Sequence, residues 1–354
     1  MKAKHLYVEK DLALFVEIQK EINDNLIIEK KDADNYFIFK SLFYGFLTIS
    51  TYCLLYIIEN PVLFIIDFVA FGFIAVLLCF NFAHDFSHNA IFKKPFWDNI
   101  GFEFIYTLVG AHPEAWKERH LNSHHYAPNV EHFDTDLAIT GLIRVLPTSK
   151  LKWYHKFQHI YAPFAYATYS FYWVFIKDFI VLSKSNHIDN RERLRYYFTF
   201  FFLKGFYITY LFVLPFYFGH QSIGTLVIAG IAMHIVQSLY TLLTFFITHH
   251  VEGSNYPKAD ENGLIDTSWV MNQIKSSNNF YPFSHLGNFI FGGVNNHIAH
   301  HLFPNISHYH YPKLNVILFN TLKKNGIEPS VTSYFSGIYS HLKLLKRMGM
   351  QIQG

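Results

Sequence analysis

Three groups of closely spaced histidines dominate the chemistry that this sequence offers. They are His84 and His88, then His120, His124 and His125, and finally His297, His300 and His301. Imidazole is a common ligand of redox metals such as iron. On an α-helix, which advances about 100° per residue, His120 and His124 share one face and His125 lies farther round. The spacing within the groups therefore predicts metal ligands on three short helices.

The number of these histidines favours two metals over one. A mononuclear zinc enzyme uses three or four protein ligands, whereas eight imidazoles are available here. Ligation by nitrogen alone favours iron over structural zinc. A ninth ligand is expected from His249 or His250, and either ring could complete the set.

Three carboxylates near the histidines could accept a hydrogen bond from the second ring nitrogen of a ligand, as outer carboxylates often do in metal sites. They are Asp85, Asp134 and Asp136. A solvated loop position is an equal alternative for each of them. The isolated histidines, including His112 and His234, are interpreted as ordinary surface or core residues.

The composition predicts an integral membrane protein. Of the 354 residues, 51% are hydrophobic, 19% aromatic and only 16% charged. The formal net charge of +3 is small, and no basic helix with interleaved aromatics suggests nucleic acid as a partner. Cys53 and Cys79 are the only cysteines, so a built-in iron–sulfur cluster is excluded and a disulfide framework is not expected.

Four stretches are long and apolar enough to cross a bilayer, which takes roughly 20 residues. They cover about 38–58, 62–83, 197–218 and 223–248. Short joins at 59–61 and 219–222 predict two hairpins. A fifth apolar stretch at 159–182 contains Pro163, Lys177 and many aromatic residues, so it is expected at the membrane interface rather than across the membrane.

The distribution of charge predicts the topology of an all-α membrane protein. The two joins contain no Lys or Arg, whereas the segments up to 40, 93–195 and 258 onward contain all of them except Lys204. By the positive-inside rule, both termini and all histidine groups face the cytoplasm. We expect a cytoplasmic lead-in at 1–35, without a secretory signal, and one membrane domain at 36–354. Within this domain a helical cap, 84–196 and 249–354, would hold the metals.

The combined pattern resembles the membrane fatty acid desaturase family, in particular a bacterial acyl-CoA or acyl-lipid branch. The resemblance covers about residues 80–315 and includes HDxxH, HxxxHH and HxxHH in order, with Leu302-Phe303-Pro304 after the last box. It implies nine iron ligands, the eight boxed histidines together with His249 rather than His250. Many front-end relatives have Gln where this chain has His297, which argues against that branch but not against the family.

The resemblance implies an O2-dependent desaturase with a di-iron centre that introduces a cis double bond into a fatty acyl chain. An unactivated methylene has no acidic proton, so general acid–base catalysis cannot remove its hydrogens. The acyl group would be linked to CoA, a carrier protein or a lipid. The His-Pro-Gly-Gly signature of a fused cytochrome b5 domain is absent. We therefore expect a separate electron donor, such as a ferredoxin or a cytochrome b5-like protein, and a location in a bacterial inner membrane.

Three alternatives remain at this point. A hydroxylase or ketolase acting on a lipid or carotenoid-like substrate would use the same ligands. A metal transporter would have histidines along a path through the bilayer, yet only His234 lies well inside a predicted span, and Lys204 and Asp67 are interpreted as interfacial positions. A membrane zinc protease would need HExxH, which does not occur.

Overall fold

The computed structural model describes residues 3–27, 30–135, 141–184 and 190–350. Within them the chain is mostly helical, with α1 (Glu9–Asn25), α2 (Lys30–Leu54), α3 (Pro61–Leu78), α4 (His84–Ser87), α5 (Pro95–Leu108), α6 (Pro113–Arg119), α7 (Gln158–Tyr166), α8 (Tyr169–Tyr172) and α9 (Asp178–Lys184). The later helices are α10 (Asn190–Ile208), α11 (Leu214–Phe218), α12 (Ile223–His249), α13 (Trp269–Lys275), α14 (His285–Phe291), α15 (His297–Leu302), α16 (Tyr311–Lys324) and α17 (Tyr334–Met348).

Shorter elements connect these helices. Single π-helical turns occupy Cys79–Ala83, His120–His124, Trp173–Lys177 and Thr209–Val213, and 3-10 turns occupy Trp153–Phe157 and His308–His310. Four two-residue strands, β1 (Lys4–His5), β2 (Leu264–Ile265), β3 (Asn279–Phe280) and β4 (Val331–Thr332), form the parallel pairs β1–β2 and β3–β4.

Four helical segments among the described residues are long and apolar enough to span a membrane. They are Lys30–Leu54, Pro61–Ser87, Arg191–Phe218 and Ile223–His249. The four predicted spans are thus confirmed, and the architecture fits an integral membrane protein. The first span begins earlier than predicted because the polar residues from Lys30 onward continue the same helix. The second span begins sharply, with Pro61 in its first turn and the Asn60 side chain accepting the Val62 and Leu63 amides.

The fifth apolar stretch does not form one long helix. It is divided into α7, α8, a π-turn and α9, and Pro163 lies inside α7. None of these pieces reaches the length that a membrane crossing requires. Two further apolar helices, α5 and α14, have 14 and 7 residues and are also too short to cross a membrane.

The contacts divide the chain into two compact units. The first unit takes in the described parts of Met1–Ala33, Glu118–Pro163 and Leu243–Gly354, and the second those of Asp34–Lys117 and Phe164–Leu242. This division does not test the prediction of one membrane domain, which stays a prediction.

The core of the first unit is built around α15, the helix of the third histidine group. Ile18 of α1, Ile274 of α13, Ile298 of α15 and Leu318 of α16 are buried in one apolar cluster. The N-terminal segment is therefore part of this core through α1. Packing from several sides fixes α15, and with it the histidines that it carries.

Asparagine side chains and a glycine turn place the start of α15. Asn296 donates to Asn288 at 2.8 Å and accepts from Asn315 at 2.7 Å. Gly293 has a φ of +83°, and a Cβ there would lie 2.3 Å from the His308 Cβ, so only glycine fits the turn. The Asn279 side chain accepts the Ile298 amide at the first turn of α15.

The second unit has its own aromatic core and a largely buried ion pair. Phe64, Phe68 and Tyr207 are fully or almost fully buried in that core. Lys204 donates to the Asp178 carboxylate at 2.7 Å and to the Gly110 and Val174 carbonyls. Lys204 is thus satisfied inside the protein, which agrees with a structural interpretation of this charge.

Candidate metal centre

Four histidines of the first unit converge on one point. They are His124, which ends the π-turn after α6, His249, which ends α12, and His297 and His301 of α15. One ring nitrogen from each lies within 4.8 Å of the other three. All four side chains are at most 3% exposed, so water has little access to the point at which they meet.

Every ring of this four-histidine cluster is held through Nδ1 by an oxygen atom. The pairs are His124 with Asp134 Oδ2 at 3.1 Å, His249 with the Ser276 carbonyl at 2.8 Å, His297 with the Val294 carbonyl at 3.2 Å, and His301 with Gln273 Oε1 at 2.8 Å. Because these oxygens accept hydrogen bonds, we assign the ring proton to Nδ1 in each case. Nε2 then has the lone pair that a metal requires.

Two of the three short distances between the Nε2 atoms are close to those expected around a bound metal ion. Nε2 of His297 lies 2.5 Å from that of His249 and 3.1 Å from that of His301, and the third pair is 3.3 Å apart. With the protons on Nδ1, lone pairs face one another with no hydrogen between them. A cation removes this repulsion, and metal–nitrogen bonds of about 2.1 Å would place ligand nitrogens about 3.4 Å apart in a tetrahedron.

The protonation of His301 agrees with a ligand role. Burial lowers its pKa well below the ordinary value, and the neighbouring His125 and His297 lower it further. The ring therefore stays neutral at physiological pH and keeps its lone pair available.

Three further histidines of the first unit lie together. The His125 Nε2 lies 3.1 Å from the His120 Nε2 and 3.0 Å from the His300 Nε2. The His120 and His124 rings are nearly parallel with centroids 5.7 Å apart, as expected for one helical face, although His124 belongs to the four-histidine cluster. The segment is a π-turn, in which the His125 amide donates to the His120 carbonyl at 3.0 Å. The His120 and His125 rings meet edge to face, with centroids 4.5 Å apart.

The first histidine group lies in the second unit. His84 begins α4 and His88 follows its end, and both are buried with ring centroids 5.5 Å apart. The π-turn Cys79–Ala83 comes directly before His84. The predicted spacing thus brings these two rings close together within their own unit.

His249 and His250 have different surroundings although they are adjacent. His250 is outside the four-histidine cluster, and its Nδ1 lies 3.0 Å from the Tyr256 hydroxyl, whose ring it stacks on at 8°. Burial lowers the pKa of His250 to about 3. This placement supports His249 as the ninth ligand.

The three predicted outer carboxylates have different outcomes. The hydrogen bond from His124 confirms Asp134, which also accepts the Asn129 amide at 3.0 Å. Asp85 is buried in α4, and its hydrogen bond to a ligand stays a prediction. Asp136 lies outside the described residues.

Sequence reasoning missed the residues from other segments that hold the histidines of the cluster in place. Gln273 accepts from His301, and the Asn129 side chain donates to the carbonyls of His249 and Asn255 at 3.1 and 3.0 Å. Asn129 has a φ of +61°, a backbone conformation that Asn adopts more readily than most residues. Both residues are far along the chain from their partners, and neither occurs in a recognisable motif.

Comparison with known proteins gives a consistent result. A family model described as fatty acid desaturase matches residues 60–332. The chain is similar to an acyl-lipid (8-3)-desaturase of Physcomitrium patens, at 28% identity over 93% of this chain and 72% of the relative. It is also similar to an sn-1 linoleoyl-lipid 6-desaturase of Synechocystis sp., at 28% identity over 83% and 84% of the two chains. A third relative, acyl-lipid (8-3)-desaturase B of Dictyostelium discoideum, is 29% identical over 87% of this chain and 69% of its own.

Proposed function

The chain belongs to the fatty acid desaturase family, and from this premise we propose that it introduces a cis double bond into an acyl chain of a membrane lipid, with two iron ions as cofactor. The family match confirms the resemblance and makes the protein an oxidoreductase. The observation that carries the proposal is the four-histidine cluster, in which all four Nδ1 atoms bind oxygen.

We propose the nine predicted histidines as iron ligands. His124, His249, His297 and His301 form the four-histidine cluster of the first unit, and His120, His125 and His300 are grouped in the same unit. His84 and His88 enter this proposal from the sequence resemblance. Imidazole nitrogen at every position suits a redox metal.

When bound, the two irons supply the O2 activation needed to remove hydrogens from adjacent methylenes. The residues of this chain orient the ligands and exclude water. Asp134, Gln273 and the Ser276 carbonyl hold the Nδ1 protons, so that each Nε2 keeps its direction. Burial of the cluster excludes water, which would otherwise compete at the metal and weaken electrostatic interactions there.

We further propose that the four spans form two hairpins and that the histidines lie on the cytoplasmic side. The distribution of Lys and Arg supports this orientation, because the two joins contain neither. The single domain at 36–354, the lead-in at 1–35 and a bacterial inner membrane location belong to the same proposal.

The names of the relatives favour a lipid-linked acyl substrate over acyl-CoA. Two of the three relatives above are named acyl-lipid desaturases and the third a linoleoyl-lipid desaturase. Electrons would come from a separate protein donor, a ferredoxin or a cytochrome b5-like protein. The family match disfavours the transporter and protease alternatives.

Expression in a host of known lipid composition tests this proposal. We expect new cis-unsaturated fatty acids, detected as methyl esters by gas chromatography and mass spectrometry. The His301→Ala variant should lose the product, whereas His220→Ala, at an exposed position between two spans, should retain it. A hydroxylated product, or no new product from the iron-loaded protein, would contradict the proposal.

A further inference from the structure

The first unit carries a basic surface that lies outside the metal centre described above. It is formed by the end of α17 and by the segment 141–163, and neither α17 nor this segment contains Asp or Glu. Its exposed cationic side chains are Lys150, Lys152, Lys156, Lys343, Lys346 and Arg347. Trp153, in the same segment, is 78% exposed. Trp and Arg are enriched in protein–protein interfaces, so this combination of residues is typical of a docking site.

The two parts of the basic surface are held together. Gln158 donates a hydrogen bond to the Leu345 carbonyl of α17 at 2.7 Å. At Gly349, which follows α17, a Cβ would lie 2.1 Å from the His155 carbonyl oxygen. The absence of a side chain at Gly349 therefore lets the end of α17 approach the turn Trp153–Phe157. The cations of both parts are thus presented on one framework.

The buried face of α17 covers the end of α12, next to the four-histidine cluster. His341 of α17 donates from Nδ1 to the His250 carbonyl at 2.8 Å. Glu252, just after α12, pairs with Lys343 of the basic surface at 2.8 Å. His250 directly follows His249 in the chain. A single helix thus separates the basic surface from a proposed iron ligand.

Tyr256 connects the same region to the solvent. Its side chain is partly exposed, and its hydroxyl lies 3.0 Å from the His250 Nδ1. The two rings are stacked, with centroids 5.8 Å apart. Arg347 of the basic surface interacts electrostatically with Tyr256. Because electron transfer slows steeply with distance, this continuous series of contacts from the surface to His249 favours an electron entering here.

We propose that the basic surface is the docking site of the separate electron donor, an acidic protein that carries one electron at a time. This inference rests on the proposed function, which requires such a donor. Formation of one double bond breaks two C–H bonds, consumes one O2, two electrons from the donor and two protons, and releases two water molecules. Two reduced donor molecules are therefore oxidised for each product. Repeated exchange suits charge attraction across a small interface, and weak electron-transfer encounters bury less than about 1,200 Å².

An anionic lipid head group is the other ligand that a basic surface with an exposed Trp could bind. The position of the surface favours the electron donor. A lipid head group has no need of a path to the metal ligands, whereas an electron donor depends on one. Attraction between opposite charges would also increase the rate at which an acidic donor finds this surface.

Charge reversal tests the docking site through binding rather than activity. The protein is reconstituted in nanodiscs of neutral phosphatidylcholine, and the probes are an acidic [2Fe–2S] ferredoxin and, in parallel, the soluble domain of a cytochrome b5. We expect Lys346→Glu/Arg347→Glu to weaken binding of the donor about tenfold at low ionic strength. The difference should vanish in about 1 M salt, where the Debye length is about 3 Å.

A matched control places the same change of net charge elsewhere. Lys323→Glu/Lys324→Glu, at the exposed end of α16, should leave the affinity for the donor close to the wild-type value. Trp153→Ala should weaken binding at low and at high salt alike, because salt does not screen an apolar contact.

The rate of electron transfer gives a second measurement. In the iron-loaded protein, reduction by the donor should be about tenfold slower in Lys346→Glu/Arg347→Glu, in proportion to the weaker docking. Reduction by dithionite, which needs no docking site, should be unchanged. Iron content at the wild-type level would show that the metal centre of this variant is intact.

The outcomes separate this inference from the proposed function. Equal affinities of the wild type and Lys346→Glu/Arg347→Glu for both probes, or no binding of either probe to the wild type, would overturn the inference. If the variant instead retains less phosphatidylglycerol on purification while its affinity for the donor is unchanged, the surface binds lipid and the inference is wrong. A wild type that binds the donor at this surface but forms no desaturated product would contradict the proposed function alone.

Discussion

The four-histidine cluster of the first unit and His234 of the second unit are similarly buried but have different partners. In the cluster, each Nδ1 binds an oxygen and the Nε2 atoms approach one another. The His234 Nδ1 lies 2.9 Å from the Ser170 hydroxyl, and its Nε2 lies 3.3 Å from the Tyr207 hydroxyl. A hydroxyl can donate or accept, so a neutral His234 is satisfied without a cation. The partners of the ring nitrogens, rather than burial, distinguish the proposed ligand histidines from His234.

The largest expected effect comes from removing one ring of the cluster. His301→Ala should abolish desaturation and lower the iron content, because three nitrogens would remain where four converge. The loss of activity should be larger than the roughly 10–100-fold loss that is typical when a residue hydrogen-bonded to a metal ligand is replaced. Elemental analysis and product assays on the purified protein measure both quantities. Iron content and activity at the wild-type level would contradict the assignment of a metal-binding role to this cluster.

An intermediate effect is expected from the residue that orients this ring. Gln273→Leu removes the acceptor for the His301 Nδ1 proton, so iron affinity should fall by about 10–100-fold. Gln273→Glu keeps an acceptor of nearly the same size and should retain more iron. Titration of the metal-free protein with iron(II) gives the affinities. Equal affinities for the Leu and Glu variants would show that this hydrogen bond is unimportant.

A smaller effect, on stability alone, is expected at His234. His234→Phe leaves the Tyr207 hydroxyl without its ring partner, which should cost about 1–3 kcal/mol in the free energy of unfolding. A thermal melt in detergent would show a lower Tm, while iron content stays at the wild-type value. Loss of iron in this variant would contradict the division between the two kinds of histidine.

The smallest effect is confined to acid pH and concerns His341, a buried histidine of the first unit outside the cluster. Its Nδ1 donates to the His250 carbonyl at 2.8 Å, and burial lowers its pKa to about 4. The unfolded chain, with a histidine pKa of about 6.5, binds this proton first. Its contribution to stability is therefore constant above about pH 6.5 and falls as the pH drops towards 4.

His341→Gln removes this titration but keeps a donor. Its Tm should decrease less than that of the wild type between pH 6.5 and 4.5. Parallel Tm curves for the two proteins would show that His341 does not contribute to acid sensitivity.

The sequence predicts the elements of the fold better than their connections. The length of the apolar stretches identifies the four spans, because each such helix must cross the same thickness of bilayer. Histidine spacing identifies the candidate ligands. It does not identify Gln273 or Asn129, because their partners are set by tertiary packing between distant segments. Spacing alone also does not reveal the π-turn, in which His125 comes next to His120.

That π-turn explains why the second and third boxes differ by one residue. In α15, His297 and His301 are four positions apart and belong to the four-histidine cluster, while His300 approaches His125. In the wider turn, five positions separate His120 from its neighbour His125. The additional residue in HxxxHH therefore sets the angle around the axis of the turn at which the histidine rings point. A deletion there would redirect the rings while leaving every histidine in place, so the site depends on the number of residues in this turn as well as on the histidines.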